Sequence, residues 1–348
     1  MSGPSQSRPA TRLAAAAAAA GGAAFVLGIA SGHATAAFAA LDASWLFFAA
    51  LSAGAVALGA AVRLAHGRWA GPILPVADAA ASFFPVAFAL LVVLLLGART
   101  FIPWTRDASA LHLGGLAARQ LLSAAVVFAL GARLVTMARA AGADASRVRT
   151  ASLAYLLAYV VGLSLWAFDL VMELTEAPPY TVLPPYFFLG AFVSGLAWVA
   201  LVAAVRDLSG PDLRHDLGKL LFAFIIVWTY LLWSLFLPTW YGNVPEESAP
   251  LLRRWTGAFR PISAAVLVTV FAWPFWLLFS ERMKRRRATL AAGAGAILLG
   301  LWAERFLLVI PSVPGPGSAA ALLVGGGVTA GVAALFAIRV LPRLEAGR

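Results

Sequence analysis

The chain contains no cysteine. It therefore holds no disulfide, no cysteine-ligated iron–sulfur cluster and no covalently attached c-type haem. Charge is the second shortage. Only 12% of the 348 residues are charged, about half the ~25% of an ordinary soluble domain, which leaves no room for a sizeable soluble domain. Histidine is the third. His33, His66, His112 and His215 all fall in or beside loops, and none lies in the middle of an apolar run. A bis-histidine b-type haem thus has no ligand pair, and a cytochrome b is excluded. No HExxH, Walker A or GxGxxG motif sits in a suitable loop. The chain reads as binding no metal or cofactor of its own.

What is present is apolar: 62% of residues are hydrophobic. Ten segments are long enough, at 1.5 Å per residue, to approach or cross a hydrocarbon core of roughly 30 Å. They run 13–31, 43–63, 76–98, 119–138, 151–172, 184–205, 219–240, 259–280, 288–310 and 318–341. The fold class expected is an all-α polytopic membrane protein forming a single integral membrane domain. The net charge of +11 would suggest a nucleic-acid partner in a soluble chain. Here the basic residues lie between apolar runs, so the charge is topological and no nucleic acid is expected.

With the N-terminus inside, all but seven of the 26 lysines and arginines fall on the inner side; the seven are Arg99, Arg106, Arg119, Arg253, Arg254, Arg260 and Arg305. The densest cluster, Arg282 to Arg287, pins the link between segments eight and nine inside. Both termini are therefore expected in the cytoplasm of a bacterial inner membrane. Ala37-Phe38-Ala39 also fits a signal-peptide cleavage site. Cleavage would leave nine helices, whereas retention keeps the parity that the charges favour.

One stretch stands apart from generic membrane sequence. Asp216 to Trp255 reads DLGKLLFAFIIVWTYLLWSLFLPTWYGNVPEESAPLLRRW: a polar entry, about twenty apolar residues, then an aromatic and acidic exit. Trp240-Tyr241-Gly242-Asn243-Val244-Pro245-Glu246-Glu247 resembles the W-Y-x-N-[IV]-P-E-E hallmark of the NrfD-like (polysulfide-reductase-like) family. Within it, the likeness is to the smaller NrfD-like subunit of bacterial alternative complex III, a quinol:cytochrome c oxidoreductase. Gly67 to Pro72 is similar to the family's short G-x-W-G turn. Phe168, Asp169 and Met172 match its F-D-W-x-M helix end, although the family's following Ser-Leu and His-Trp are missing. Leu307 to Ser312 is similar to its L-L-[VI]-x-P-S ending.

The resemblance implies two related four-helix bundles, 43–172 and 184–310, with peripheral helices at 13–31 and 318–341. An echo of Leu165-Trp166-Ala167 at Leu301-Trp302-Ala303 fits that duplication; prolines follow each copy, at Pro178, Pro179, Pro311 and Pro314. It also implies partners: a larger homologous membrane subunit, an iron–sulfur protein, c-type cytochromes and a terminal oxidase. Haem c and iron–sulfur clusters would lie in those partners, quinol at or near the complex, and membrane lipid around it.

Polar residues gather at the outer ends of three segments: Asp169, Glu173 and Glu176; Tyr241, Asn243, Glu246 and Glu247; Glu304 and Arg305. Ionisable groups at membrane depth tend to be paired or functional. Asp169 and Glu173, four apart, would share a helix face, where like charges favour a group that holds and releases a proton. Asp169, Glu173 and Glu304 are thus candidates for a proton relay. The loop glutamates also read as solvated acids, and Glu304–Arg305 as a neutral pair. Asp216 is a candidate mouth for an inner path through Thr229, Tyr230 and Ser234, or equally an acid at a helix N-terminus. Gly242 is expected in a backbone conformation that glycine favours, with Pro245 fixing the next turn. Two other functions fit the pattern: an ion or solute transporter with an internal duplication, and a purely structural assembly subunit.

Overall fold

The computed structural model describes residues 7–106, 108–175, 181–208, 210–313 and 318–346. Ten of its helices are long and apolar enough to cross a membrane, and the described residues contain no strand. We label α1 (Ser7–Ala30), α2 (Ala34–Leu64), α3 (Trp69–Leu96), α4 (Ala110–Arg139), α5 (Ala145–Leu170) and α6 (Leu183–Val205). Then come α7 (Pro211–Gly242), the short α8 (Pro245–Trp255), α9 (Gly257–Phe279), α10 (Arg287–Val309) and α11 (Ala319–Ala346). Several begin eight or nine residues before the apolar segment they contain. Hydropathy marks the hydrocarbon, whereas helical hydrogen bonding continues through the polar flanks.

Contacts close two circuits. α2, α3, α4 and α5 touch in a ring, as do α6, α7, α9 and α10. The rings share a seam where α2 crosses α6, and α1 and α11 pack together outside it. The α2–α6 crossing is at backbone distance: a Cβ on Gly54 would lie 2.0 Å from the Ala191 carbonyl oxygen, and one on Gly195 would lie 2.1 Å from the Ala55 nitrogen. Without hydrophobic drive between helices in lipid, such small-residue contacts supply the packing. α1 meets α11 the same way at Gly21 and Gly331. In the Gly325–Gly327 run only Gly327 is tightly approached, by Ala24. Ala37 and Ala39 are buried in the first two turns of α2.

Prolines in the spans are absorbed locally. Before Pro85, α3 tightens into a 3₁₀ turn over Ala80–Phe83, and the Ala81 carbonyl that proline cannot serve accepts from the Phe84 N–H. Before Pro274, α9 widens into a π-turn over Val268–Ala272, a feature no sequence signal announced.

Candidate functional site

At one end of the first ring, α5 stops at Leu170, and Val171 leaves helical geometry (φ −126°). Glu173 falls in a separate 3₁₀ turn and is exposed. The expectation that one uninterrupted helix face carries both acids is therefore corrected. Asp169 instead turns inward, 4% exposed. Arg119 of α4 grips it in a two-point ion pair, Nε and Nη2 each donating at 2.7 Å. The Gln120 amide donates to it as well and also bonds the Leu165 carbonyl. A carboxylate with three donors is a held anion that ties α4 to α5. Sequence reading assigned Arg119 only to a count of outer charges and missed Gln120. An arginine and an amide beside an apolar run were the available signal.

The second ring places Glu304 and Arg305 of α10 in its core, at 4% and 1% exposure. Their satisfaction is different. Arg305 Nη1 stands 3.3 Å from a Glu304 oxygen, and Arg305 Nη2 donates to the Phe187 carbonyl at 3.3 Å. Its guanidinium lies over the Phe187 ring, 4.1 Å from the centroid. Tyr186 and Arg254 are near enough to Glu304 to interact with it. Even so, neither Glu304 oxygen is reached at hydrogen-bond geometry, and Arg305 Nε and Nη1 and the neighbouring Trp228 Nε1 are also without such a partner. Gly190 leaves the space: a Cβ there would meet Arg305 Nη2 at 3.0 Å and Trp228 Nε1 at 3.4 Å. Buried polar atoms thus gather in one cluster in the second ring, where such groups tend to be paired or functional. Asp42 of α2, just outside its expected segment and so missed, is likewise fully buried with both oxygens unpartnered.

The family-like loop is arranged otherwise than expected. α7 runs on through Pro238 to Gly242, so Gly242 is helical and has nothing within 4 Å of a built Cβ. The left-handed residue is Asn243, at φ 48°, which caps α7; asparagine tolerates this conformation better than most residues. Pro245 then opens α8, with Glu246 and Glu247 in its first turn and Arg253 and Arg254 in its last, the order that suits the helix dipole. Trp240, Tyr241 and Glu246 are exposed, Tyr241 at 85%. Inward from them, α7, α8 and α9 enclose a cleft of about 710 Å³ lined by Trp233, Phe236, Trp240, Asn243, Trp255 and Phe271 beside the π-turn.

The residues of the expected inner path make local contacts. Asp216 pairs with Lys219 at 2.7 Å. Thr229 and Ser234 each donate back to a carbonyl of their own helix, and Tyr230 points outward at 65% exposure. Tyr155 and Tyr159 are structural: their hydroxyls donate to the Ala53 and Phe188 carbonyls at 2.8 and 2.5 Å, locking α5 to α2 and α6. Glu176, Pro178, Pro179 and Pro314 lie outside the described residues. Among those described, no three metal-ligating side chains cluster.

The fold and these sites define a multi-pass, all-helical protein of membrane type. Comparison with family models gives no match, and comparison with curated proteins gives none.

Proposed function

We propose that this chain is an integral membrane subunit of a quinol-oxidising respiratory complex of the alternative complex III type, seated in a bacterial inner membrane with both termini cytoplasmic. In this reading the two rings are related bundles. Electrons pass through an iron–sulfur protein and c-type cytochromes to an acceptor such as a terminal oxidase, while this chain supports a larger NrfD-like subunit and conducts protons.

The observation that carries the reading is the loop 240–247. Its residues follow the family order, yet Trp240, Tyr241 and Glu246 are exposed and Gly242 packs against nothing. Residues that make so little contact inside the chain find their physical use at a contact outside it. Aromatic residues with adjoining acids suit an interface where membrane and partner meet. For the proton role, Glu304 now ranks ahead of Asp169, because Asp169 is fully engaged.

Mass spectrometry of the chain purified from its native membrane in mild detergent tests the proposal. Iron–sulfur and multihaem cytochrome subunits should accompany it. Isolation as a lone chain would overturn it and favour the transporter, which the buried Glu304–Arg305 pair also suits. Orientation has its own test, made clean by the natural lack of cysteine. Thr256→Cys should react with an impermeant thiol reagent from the periplasm and Ala288→Cys should not.

A further inference from the structure

On the face opposite α8, a groove of about 680 Å³ opens between α3, α4 and the end of α11. Its depth is apolar, walled by Phe84, Pro85 and Phe88 of α3 and by Ala125 and Phe128 of α4, with the Phe84 and Phe128 rings stacked at 4.7 Å. From Arg139 at the mouth back to Ala125 is about four helical turns, roughly 21 Å. That exceeds one leaflet's share of a hydrocarbon core of roughly 30 Å.

The mouth is basic. Arg139 of α4 and Arg339 and Arg343 of α11 line it. The one acid lining the groove among the described residues, Asp78, is already engaged by Arg63 at 2.7 Å and Arg139 at 3.7 Å. Asp78 is thus shared between Arg63 and Arg139. Arg339 is fixed by Ser82: its Nε donates to the Ser82 carbonyl at 3.3 Å, and the Ser82 hydroxyl donates to the Arg339 carbonyl at 2.8 Å. Neither Arg339 nor Arg343 forms an ion pair with a described acid.

We infer that this groove binds an anionic phospholipid, its phosphate against Arg139, Arg339 and Arg343 and an acyl chain between α3 and α4. Both halves of the site are needed for that assignment. A free phosphate would use the mouth and leave the apolar depth empty, and a zwitterionic lipid would fill the depth while bringing no net charge to the arginines. Basic pockets between transmembrane helices are the usual seats of anionic headgroups. The inference does not rest on the respiratory reading.

The test uses the full chain, as purified from its native membrane, in nanodiscs of dioleoyl-phosphatidylcholine carrying a minor share of dioleoyl-phosphatidylglycerol. Native mass spectrometry counts the phosphatidylglycerol retained on transfer to detergent. Retention should fall roughly tenfold in Arg339→Ala/Arg343→Ala, and comparably in Ala132→Phe, which fills the groove wall while keeping every charge. It should be unchanged in Arg282→Ala/Arg286→Ala, which removes the same charge from another link on that face. Thermal midpoints guard against simple misfolding: added phosphatidylglycerol should raise the parent's midpoint and not that of the first two variants. Equal retention in all four proteins would overturn the site. So would equal retention of phosphatidylcholine by the parent, or a midpoint rise from inorganic phosphate alone that matches the lipid's.

Discussion

α2 and α7 are nearly the same length, 31 and 32 residues, and both are strongly apolar. Inside the protein they are opposites: 89% of the apolar window of α2 is buried against other helices, and only 22% of that of α7. The side chains explain the split. α2 is built on alanine, glycine and serine, which let α6 and α11 approach its backbone. α7 is built on leucine, phenylalanine, tryptophan and tyrosine, too bulky for close crossing and well suited to lipid or a partner. The α7 helix packs a narrow aromatic stripe on α6 and α9 and adds polar contacts at its start. Asp212 meets Arg285 at 2.6 Å, and Arg214 bonds both Asp207 and the Arg285 carbonyl at 3.0 Å. Helices of equal hydropathy can thus serve as keel or as outer wall.

The sharpest way to break that comparison is at the keel. Gly54→Ala puts a methyl 2.0 Å from a backbone oxygen, which no side-chain adjustment relieves. Its cost should exceed the ~1–3 kcal/mol of ordinary overpacking, and the folded yield of the purified chain should collapse. On the wall, Gly242→Ala should leave yield and melting unchanged, while Asn243→Val, forced into the left-handed region, should cost about 1–2 kcal/mol. Equal yields for Gly54→Ala and Gly242→Ala would mean that the α2–α6 crossing is not the keel.

The next effect compares the two rings. Arg119→Ala strands Asp169 in the interior. Removing one partner of a buried pair costs ~3–5 kcal/mol, and because Arg119 is itself half-exposed, about 2–3 kcal/mol is expected from the melting midpoint. A change below about 0.5 kcal/mol would show that the pair does not hold α4 to α5.

The two acids then separate by function. Glu304→Gln keeps shape and removes the buried carboxylate that stands beside Arg305. The proposed complex should still assemble, and any step in it that uses this proton should slow by 10²–10⁴-fold, the usual worth of an acid–base group. Asp169→Asn should reduce assembly through its lost ion pair while each assembled complex turns over like the parent. Slowed turnover in an intact Asp169→Asn complex, with Glu304→Gln unaffected, would return the relay to the first ring.

The smallest effect tests the clamp. At the exposed link before α10, the Arg285 hydrogen bond holds the Glu281 carboxyl below the usual glutamate range. A lowered folded value means stabilisation that is present above about pH 4.3, the unperturbed glutamate value, and is lost as the pH falls through the folded value. The gap in melting midpoint between the parent and Arg285→Gln should be constant near neutrality and narrow below about pH 4. A gap that stays level down to pH 3 would remove Glu281 from the clamp.

By itself the sequence marked ten apolar segments, each long enough to cross a membrane, with most basic residues lying between them, because length, apolarity and charge are local quantities that one helix carries alone. It also singled out Asp169, Glu304 and the loop 240–247. What each of these touches depends on neighbours far along the chain: Arg119, 50 residues from Asp169, closes one acid into an ion pair, while Gly190, lacking a Cβ, lets the Arg305 guanidinium lie against α6. The left-handed residue proved to be Asn243 because α7 keeps its hydrogen bonds through Gly242. Only packing decides whether a polar atom in an apolar run meets a donor, another helix or nothing, because the partner comes from a different helix whose approach is fixed by small residues elsewhere.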